Sequence, residues 1–488
     1  MKHLAIFRIF ISVSLLLCSA PLMAQMRLPN VISANMILQR NAQVPVWGWA
    51  APGQQVRVAF AGQVKTVVAA ADSAWHVKLA TGNANSKPQV LSITAGKETK
   101  QLENILIGDV WLCSGQSNMN YAMDRTINNF AAPAKGADSA ALAMKEPHPG
   151  IRIMKVEMQY DTPDVPSTGW HEAKGRIFER SSVVAFYFAK QLQAKLHIPI
   201  GIITSAWDGS RIEPWTPPIA YKNIPAFEED IKKNSTAMDK EKEGRMYNSM
   251  IKPLGQFGLK GIIWYQGESN CMIEEQDMRY AYKMQAMVAS WRKQFGAQLP
   301  FYYTLIAPYI YTEWRNGIPH TIETLPKFWE QQVAAAQIPG TAFVTTTDLV
   351  DVITDIHPSY KWVVGRRLAN LALSKTYRQK GIPYLEPTYA HKKIEGDKLV
   401  LYFKNANGLK TRDGKSPDFF EIAGADGKYL SAQATIKGNT LVLQNADIKA
   451  PTEARFAWTQ FAMPNLVNGD DLPMVPFRTN AVKWEYIP

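Results

Sequence analysis

The segment Val110-Trp-Leu-Cys-Ser-Gly-Gln-Ser-Asn-Met119 is a β-branched and aromatic run that breaks at Gly115 and presents Ser117 ahead of a polar, helix-compatible stretch. Such a run predicts a strand with a nucleophile at its end. A serine hydroxyl is a weak nucleophile at neutral pH, so it needs a base beside it and donors for the oxyanion it creates. Gly115 allows a tight turn, and a following helix would aim free N–H groups at the reaction centre. Taken alone, the same residues also suit an ordinary strand-to-helix turn with Ser117 as its N-cap, so other loops must decide.

Three further segments share the form of an apolar strand running into a polar loop. Gly201-Ile-Ile-Thr-Ser leads into Ala206-Trp-Asp-Gly-Ser-Arg211, where Gly209 can turn a backbone N–H toward a ligand. Gly261-Ile-Ile-Trp-Tyr leads into Gln266-Gly-Glu-Ser-Asn270, and Ala342-Phe-Val-Thr-Thr into the acidic run from Asp348 to Pro358. In open α/β sheets, ligands gather outside the carboxyl ends of the strands, so these loops are where chemistry is expected. His357 combines a strand-end loop with nearby carboxylates. Imidazole is the usual base for serine, and Asp355 is the nearest side chain to orient it, with Asp351 and Asp348 behind. His76, His148, His171, His197, His320 and His391 lack that setting. The chain has no His-Glu-x-x-His, no Cys-x-x-Cys and no Gly-rich phosphate loop, so no metal site is expected.

The elements that must position these loops follow from texture. From Leu28 to Thr99, short alternating runs such as Gln55-Val-Arg-Val-Ala-Phe and Trp75-His-Val-Lys-Leu sit between Pro-Gly, Gly-Lys and Asn/Ser-rich turns, the pattern of a β-sandwich. From Leu102 to Lys380, apolar strands alternate with amphipathic stretches, which predicts a mostly parallel sheet. Ser182 caps one predicted helix, carrying Val183, Val184, Phe186, Ala189, Leu192 and Leu196 at helical spacing, and the strand at Ile200 follows at once. After Pro387 the β texture returns, in Leu399-Val-Leu-Tyr-Phe, Thr435 to Ile436 and Leu441-Val-Leu. The expected organisation is a leader at 1–24, an N-terminal β-sandwich-like domain at 25–102, an α/β catalytic domain at 103–385 and a β-rich region at 386–488.

Composition bounds the setting. Lys2 and Arg8, the apolar run Ile9 to Leu17 and the small residues from Ala20 to Ala24 have the form of a secretory signal peptide, so export to the periplasm or beyond is expected. The apolar run is short of the roughly 20 residues a membrane-spanning helix needs, as is every later segment. Only Cys113 and Cys271 follow the leader, too few for a disulfide scaffold, and they read as partly buried thiols at strand ends rather than a redox pair. The formal charge of +12 falls to +10 without Lys2 and Arg8. Its basic residues are interleaved with acids rather than clustered, which argues against nucleic acid as partner.

Together the four loops resemble the SGNH hydrolase superfamily and, within it, the sialate O-acetylesterase family. The shared blocks are Leu112-Cys-Ser-Gly-Gln-Ser-Asn-Met119, Trp264-Tyr-Gln-Gly-Glu-Ser-Asn270 and Asp355-Ile-His-Pro358, supported by Tyr247-Asn-Ser-Met-Ile-Lys-Pro-Leu254 and Glu213-Pro-Trp-Thr-Pro217. The resemblance implies a three-layer α/β/α domain flanked by β-sandwich-like regions. It also implies hydrolysis of an O-acetyl ester on a sugar through an acetyl-enzyme, without metal or organic cofactor. Ser117 would be nucleophile and His357 base. The oxyanion would be held by the N–H of Ser117, the N–H of Gly209 and a side-chain amide from the third block, Gln266 in preference to Asn270. Trp215, Arg211 and Glu268 stand as substrate-binding candidates. The Gly-x-Ser-x-Gly elbow of α/β-hydrolases is absent.

The chain departs from the superfamily pattern in places. Thr354 stands where an aspartate precedes the histidine by three residues, so Asp355 can serve by its carboxylate, by its carbonyl, or not at all. Asp208-Gly209-Ser210 replaces a common Gly-Gly-Thr, and Ser269 aligns with the superfamily's oxyanion asparagine. The leading expectation is a sialate O-acetylesterase. An acetylesterase of acetylxylan or another plant polysaccharide is the alternative, and a catalytically inactive carbohydrate-binding protein is a third.

Overall fold

The computed structural model describes residues 25–128, 136–222, 224–233, 243–255, 257–314 and 316–487, so the expected leader lies outside the described residues. The N-terminal region supplies β1 (Ile37–Gln39), β2 (Gln43–Trp49), β3 (Gln55–Phe60), β4 (Gln63–Val68), β5 (Ala74–Ala80) and β6 (Asn85–Ala95). Alternation of apolar and polar residues sets their faces: in β5, Trp75, Val77 and Leu79 point inward while His76 and Lys78 face solvent. β3 pairs antiparallel with β4 and β6, and β2 pairs separately with β5.

The long strand β7 (Glu98–Gly115) joins this region to the next. Its first half pairs antiparallel with β6, and its second half is the centre of a parallel sheet, so the expected border at 102/103 falls inside one continuous strand. That sheet contains β8 (Ile151–Lys155), β9 (Trp170–Glu172), β10 (Ile200–Ala206), β11 (Gly261–Tyr265), β12 (Phe301–Thr304) and β13 (Thr341–Val344). The order is β13-β12-β11-β7-β10-β8-β9, parallel except for the edge strand β9.

The helices that cover the sheet are α2 (Val183–Leu196), α3 (Arg279–Phe295), α4 (Thr324–Ala334) and α5 (Lys361–Lys375), while α1 is the single turn Ser117–Asn120. Period-2 alternation divides each strand between two helical layers. Val110, Leu112, Ile262 and Trp264 join Met284, Trp291, Leu325 and Trp329 of α3 and α4 in one core. Trp111, Cys113, Ile263 and Tyr265 join Phe186, Leu192, Leu368 and Leu371 of α2 and α5 in the other. The result is the α/β/α arrangement expected from strand–helix alternation. The first core runs on into Val56, Val58, Trp75 and Ile93, so the N-terminal strands share their interior with the α/β domain. As the sequence predicts, Ser182 caps α2, its Oγ accepting from the Ala185 N–H at 3.1 Å.

After Pro387 two four-stranded antiparallel sheets face each other. Leu399, Leu401, Leu441 and Leu443 of one pack on Phe420, Ile422 and Phe456 of the other. Three arginine contacts tie this sandwich to the α/β domain: Arg478 to Glu330 (2.8 and 2.7 Å), Arg455 to Glu323 (2.7 Å) and Arg412 to Asp348 (2.8 Å).

Gly115 ends β7 with φ +142°, and a Cβ there would stand 2.1 Å from the Tyr265 carbonyl oxygen, which β11 holds fixed. Gly115→Ala is therefore expected to cost about 2–5 kcal/mol, the sum of a backbone and an overpacking penalty. Urea unfolding measures it; a loss below about 1 kcal/mol would mean that the turn relaxes freely.

Candidate active site

Three strand ends are pinned to one another before any side chain is considered. The Gln116 N–H donates to the Tyr265 carbonyl (3.0 Å) and the Trp207 N–H to the Gly115 carbonyl (3.0 Å). Ser117 opens α1 directly after this junction, so its N–H is one of the helix's unpaired first donors. The strand-end loops enclose an open cleft of about 830 Å³, lined by Ser117, His357, Gly209, Arg211, Asp208, Arg125, Trp314 and Met272 among others.

At the floor of the cleft His357 Nε2 lies 2.8 Å from Ser117 Oγ, across 240 residues of sequence. The imidazole is 20 % exposed, so the ring and the Ser117 hydroxyl meet at the solvent boundary, where a ligand can reach both. The Asp355 Oδ1 is 3.6 Å from His357 Nδ1 and accepts the His357 backbone N–H at 2.8 Å. Burial by itself would raise the Asp355 carboxyl, but its hydrogen bonds with His357 and the charges of His357 and Lys361 outweigh that and lower it. Of the carboxylates behind it, Asp348 is held by both Arg367 (2.8 and 2.6 Å) and Arg412, and Asp351 accepts from Ser359 Oγ (2.5 Å).

Gly209 lines the cleft with φ +69°, and its N–H makes no hydrogen bond among the described residues. Arg211 lines the same wall. The other expected site residues lie deeper in the fold. Gln266 is fully buried: its amide donates to Ser210 O (3.1 Å) and Asn270 Oδ1 (2.8 Å), and its Oε1 accepts from Tyr280 (2.9 Å). Asn270 is likewise spent, accepting from the Ile212 N–H (2.9 Å) and donating to Glu213 and Glu275. Neither amide lines the cleft, because buried polar groups must find partners inside the fold. Trp215 is also fully buried, with its indole N–H on Ser210 Oγ (3.0 Å), so it supports the second loop from below instead of offering a face to a sugar. Glu268 is 1 % exposed and accepts from Asn118.

Four residues of the site carried no signal on their own in the sequence. Arg125 lies over the Tyr121 ring at 4.6 Å and lines the cleft, as does Trp314. Asn118 sits inside the first motif but faces away from the cleft, toward Glu268 and the Ile356 carbonyl (3.1 Å). Lys361, at the start of α5, is fully buried between Tyr121 and Tyr265. Cys113 and Cys271 are both fully buried, and burial raises both thiols, which keeps them protonated and unreactive. Among the described residues no three His, Cys, Asp or Glu side chains are grouped to hold a metal ion.

Burial pushes the Lys361 ammonium down to about 7, against the opposing pull of Glu268 and Asp355. The ordinary lysine value is about 10.4, so between about pH 7 and 10 the unfolded chain holds a proton that the folded chain lacks. Stability therefore rises with pH through that window, and below it the full cost of burying the charge is present. Lys361→Met lacks this dependence. Its urea midpoint relative to wild type should be higher at pH 6 than at pH 9; a difference that does not change with pH would contradict the assignment.

Residues 107–374, which contain Ser117 and His357, match the family described as carbohydrate esterase, sialic acid-specific acetylesterase. Sialate O-acetylesterases of Homo sapiens and Mus musculus are each 26% identical to the chain, covering 89% of it and 87% and 89% of their own lengths. The crystal structure of a carbohydrate acetylesterase from Xanthomonas citri is 30% identical, covers 94% of this chain and 100% of its own, and superposes with a TM-score of 0.82. By sequence and by fold, the chain belongs to the carbohydrate esterase, sialic acid-specific acetylesterase family and is a carboxylic ester hydrolase.

Proposed function

We propose that the chain is an exported carbohydrate O-acetylesterase that removes acetyl groups from O-acetylated sialic acids by a serine–histidine mechanism. The observation that carries the reading is the 2.8 Å contact between Ser117 Oγ and His357 Nε2 at the floor of an open cleft. His357 takes the Ser117 proton as Oγ attacks the acetyl carbonyl. The oxyanion is held by the N–H groups of Ser117 and Gly209, while the side-chain amide expected beside them, from Gln266 or Asn270, is bonded inside the fold. His357 then protonates the departing sugar oxygen, and a water, deprotonated by the same imidazole, releases acetate from Ser117. No step in this scheme calls for a metal or an organic cofactor.

Sialic acid as substrate is supported by the names of the full-length relatives and by Arg125 and Arg211 on the cleft wall, which suit a sugar carboxylate. Export is supported by the leader-like residues 1–24, and no helix among the described residues is long and apolar enough to cross a membrane. The test is acetate release by the purified chain from O-acetylated sialic acid and from acetylated xylan in parallel. Faster release from sialic acid supports the proposal. Preference for xylan moves the assignment to a plant-polysaccharide esterase, and binding of either without release moves it to an inactive carbohydrate-binding protein.

A further inference from the structure

The loop that carries His357 has no helix or strand between Val344 and Lys361, yet it must hold an imidazole within hydrogen-bond reach of Ser117. Asp355 holds the ring only loosely, its carboxylate being 3.6 Å from Nδ1, and its short contact goes to the backbone. Two buried side chains instead take hold of the peptide carbonyls on either side of the histidine. Asn118, 1 % exposed, donates to the Ile356 carbonyl at 3.1 Å and, through the same amide nitrogen, to Glu268. Lys361, fully buried, donates to the Pro358 carbonyl.

We propose that Asn118 and Lys361 are positioning residues that hold His357 on Ser117 by clamping the two carbonyls flanking it, with Glu268 fixing the Asn118 amide from behind. The arrangement has a direct logic. Asn118 is the next residue after Ser117 on α1, so its amide ties the nucleophile's own helix to the base loop, and a shift of one carries the other. Glu268 comes from the third strand-end loop and gives the second amide hydrogen a buried acceptor, which fixes the rotamer that reaches Ile356. Lys361 comes from the opposite side, on the first turn of α5, with its ammonium 4.9 Å from the Tyr121 ring centre and 5.9 Å from that of Tyr265. Burial raises Glu268 and lowers Lys361, and either protonation state of each keeps the required bond: a carboxyl oxygen still accepts and a neutral amine still donates. None of the three needs to touch the substrate.

The clamp rests on the serine–histidine reading above, and its test separates the two. Asn118→Ala, Lys361→Met, Glu268→Leu and Glu268→Gln are compared with wild type and Ser117→Ala in the full chain. Two quantities are read: kcat and KM for an aryl acetate, and the rate at which a fluorophosphonate labels Ser117. The expected result for Asn118→Ala and Lys361→Met is a fall in kcat of about 10- to 100-fold, as for a small misplacement of a reacting group. KM stays within about twofold and labelling slows by the same factor as kcat, because both depend on the base and not on sugar binding. Glu268→Leu follows Asn118→Ala, and Glu268→Gln, which keeps an acceptor oxygen, recovers most of the loss. Thermal midpoints are taken on every variant. If Asn118→Ala does not fold, Lys361→Met carries the test, since it exchanges a buried amine for an apolar side chain of similar length. Folded variants with unchanged kcat and labelling, or with a change in KM alone, overturn the clamp. A wild-type chain that is not labelled on Ser117 overturns the serine–histidine reading on which it rests.

Discussion

Replacing Ser117 by alanine lowers kcat for acetate release by about 10³- to 10⁶-fold, the range seen when a nucleophile that acts with its base is removed. The residual rate belongs to the cleft and to the Gly209 N–H, which the substitution leaves in place. His357→Ala is expected to give a loss of the same order, and the double variant to be no slower than either single one, as the proposed action of the 2.8 Å pair as a unit requires. Ser117 is half-buried at the cleft, and its side chain makes no hydrogen bond among the described residues beyond that to His357, so both variants are expected to keep the wild-type thermal midpoint. Acetate release under saturating substrate measures the effect. Multiplicative losses in the double variant would show that serine and histidine act separately.

Lys283→Met is expected to give the largest loss of stability, about 3–5 kcal/mol, because it strips the cation that pairs with both of two buried carboxylates. Lys283 Nζ lies 2.5 Å from Glu213 and also donates to Glu275, and all three side chains are nearly inaccessible. Burial alone would neutralise Lys283 and Glu213. The charges of Glu213 and Glu275 instead keep Lys283 raised, and those of Lys283 and Arg211 keep Glu213 lowered. Asn270 joins both carboxylates and accepts from the Ile212 N–H, so the same cluster anchors the loop that bears Gly209 and Arg211. The variant should therefore lose activity as well as stability. Replacing Lys283, Glu213 and Glu275 together by Met, Gln and Gln should recover much of the stability, since no uncompensated charge remains. Urea unfolding checks both, and a loss below about 1 kcal/mol in Lys283→Met would contradict the assignment.

The residues that line the cleft were legible from sequence where residue type and strand-end position agree. Ser117, His357, Gly209 and Arg211 each follow an apolar run, and the parallel sheet brings those ends together. Gln266, Asn270, Trp215 and Glu268 stand in equally suggestive loops, yet the fold places them one layer below the surface. A motif preserves the polar scaffold under a site together with the chemistry on top, and spacing does not tell the two apart. Lys361 was invisible for the converse reason: a lysine at the start of an amphipathic helix reads as solvated, and only the packing of Tyr121 and Tyr265 around it shows otherwise. At the level of the fold, Ser182 and the apolar positions after it specified α2 closely. Strand β12, Phe301-Tyr-Tyr-Thr, lay outside the four loops because no polar, glycine-containing loop follows it. The continuity of β7 was hidden too, since Asn104 and the pair Gly108-Asp109 interrupt its apolar residues and read as turns.

The central claim is that Ser117 carries the acetyl group between substrate and water. Rapid quenching of the enzyme with excess aryl acetate, followed by mass spectrometry of its peptides, tests it directly. One added acetyl group is expected on the peptide containing Ser117, absent from Ser117→Ala. Turnover with no acetylated Ser117 peptide at any quench time, or an acetyl group of equal occupancy in Ser117→Ala, would contradict it.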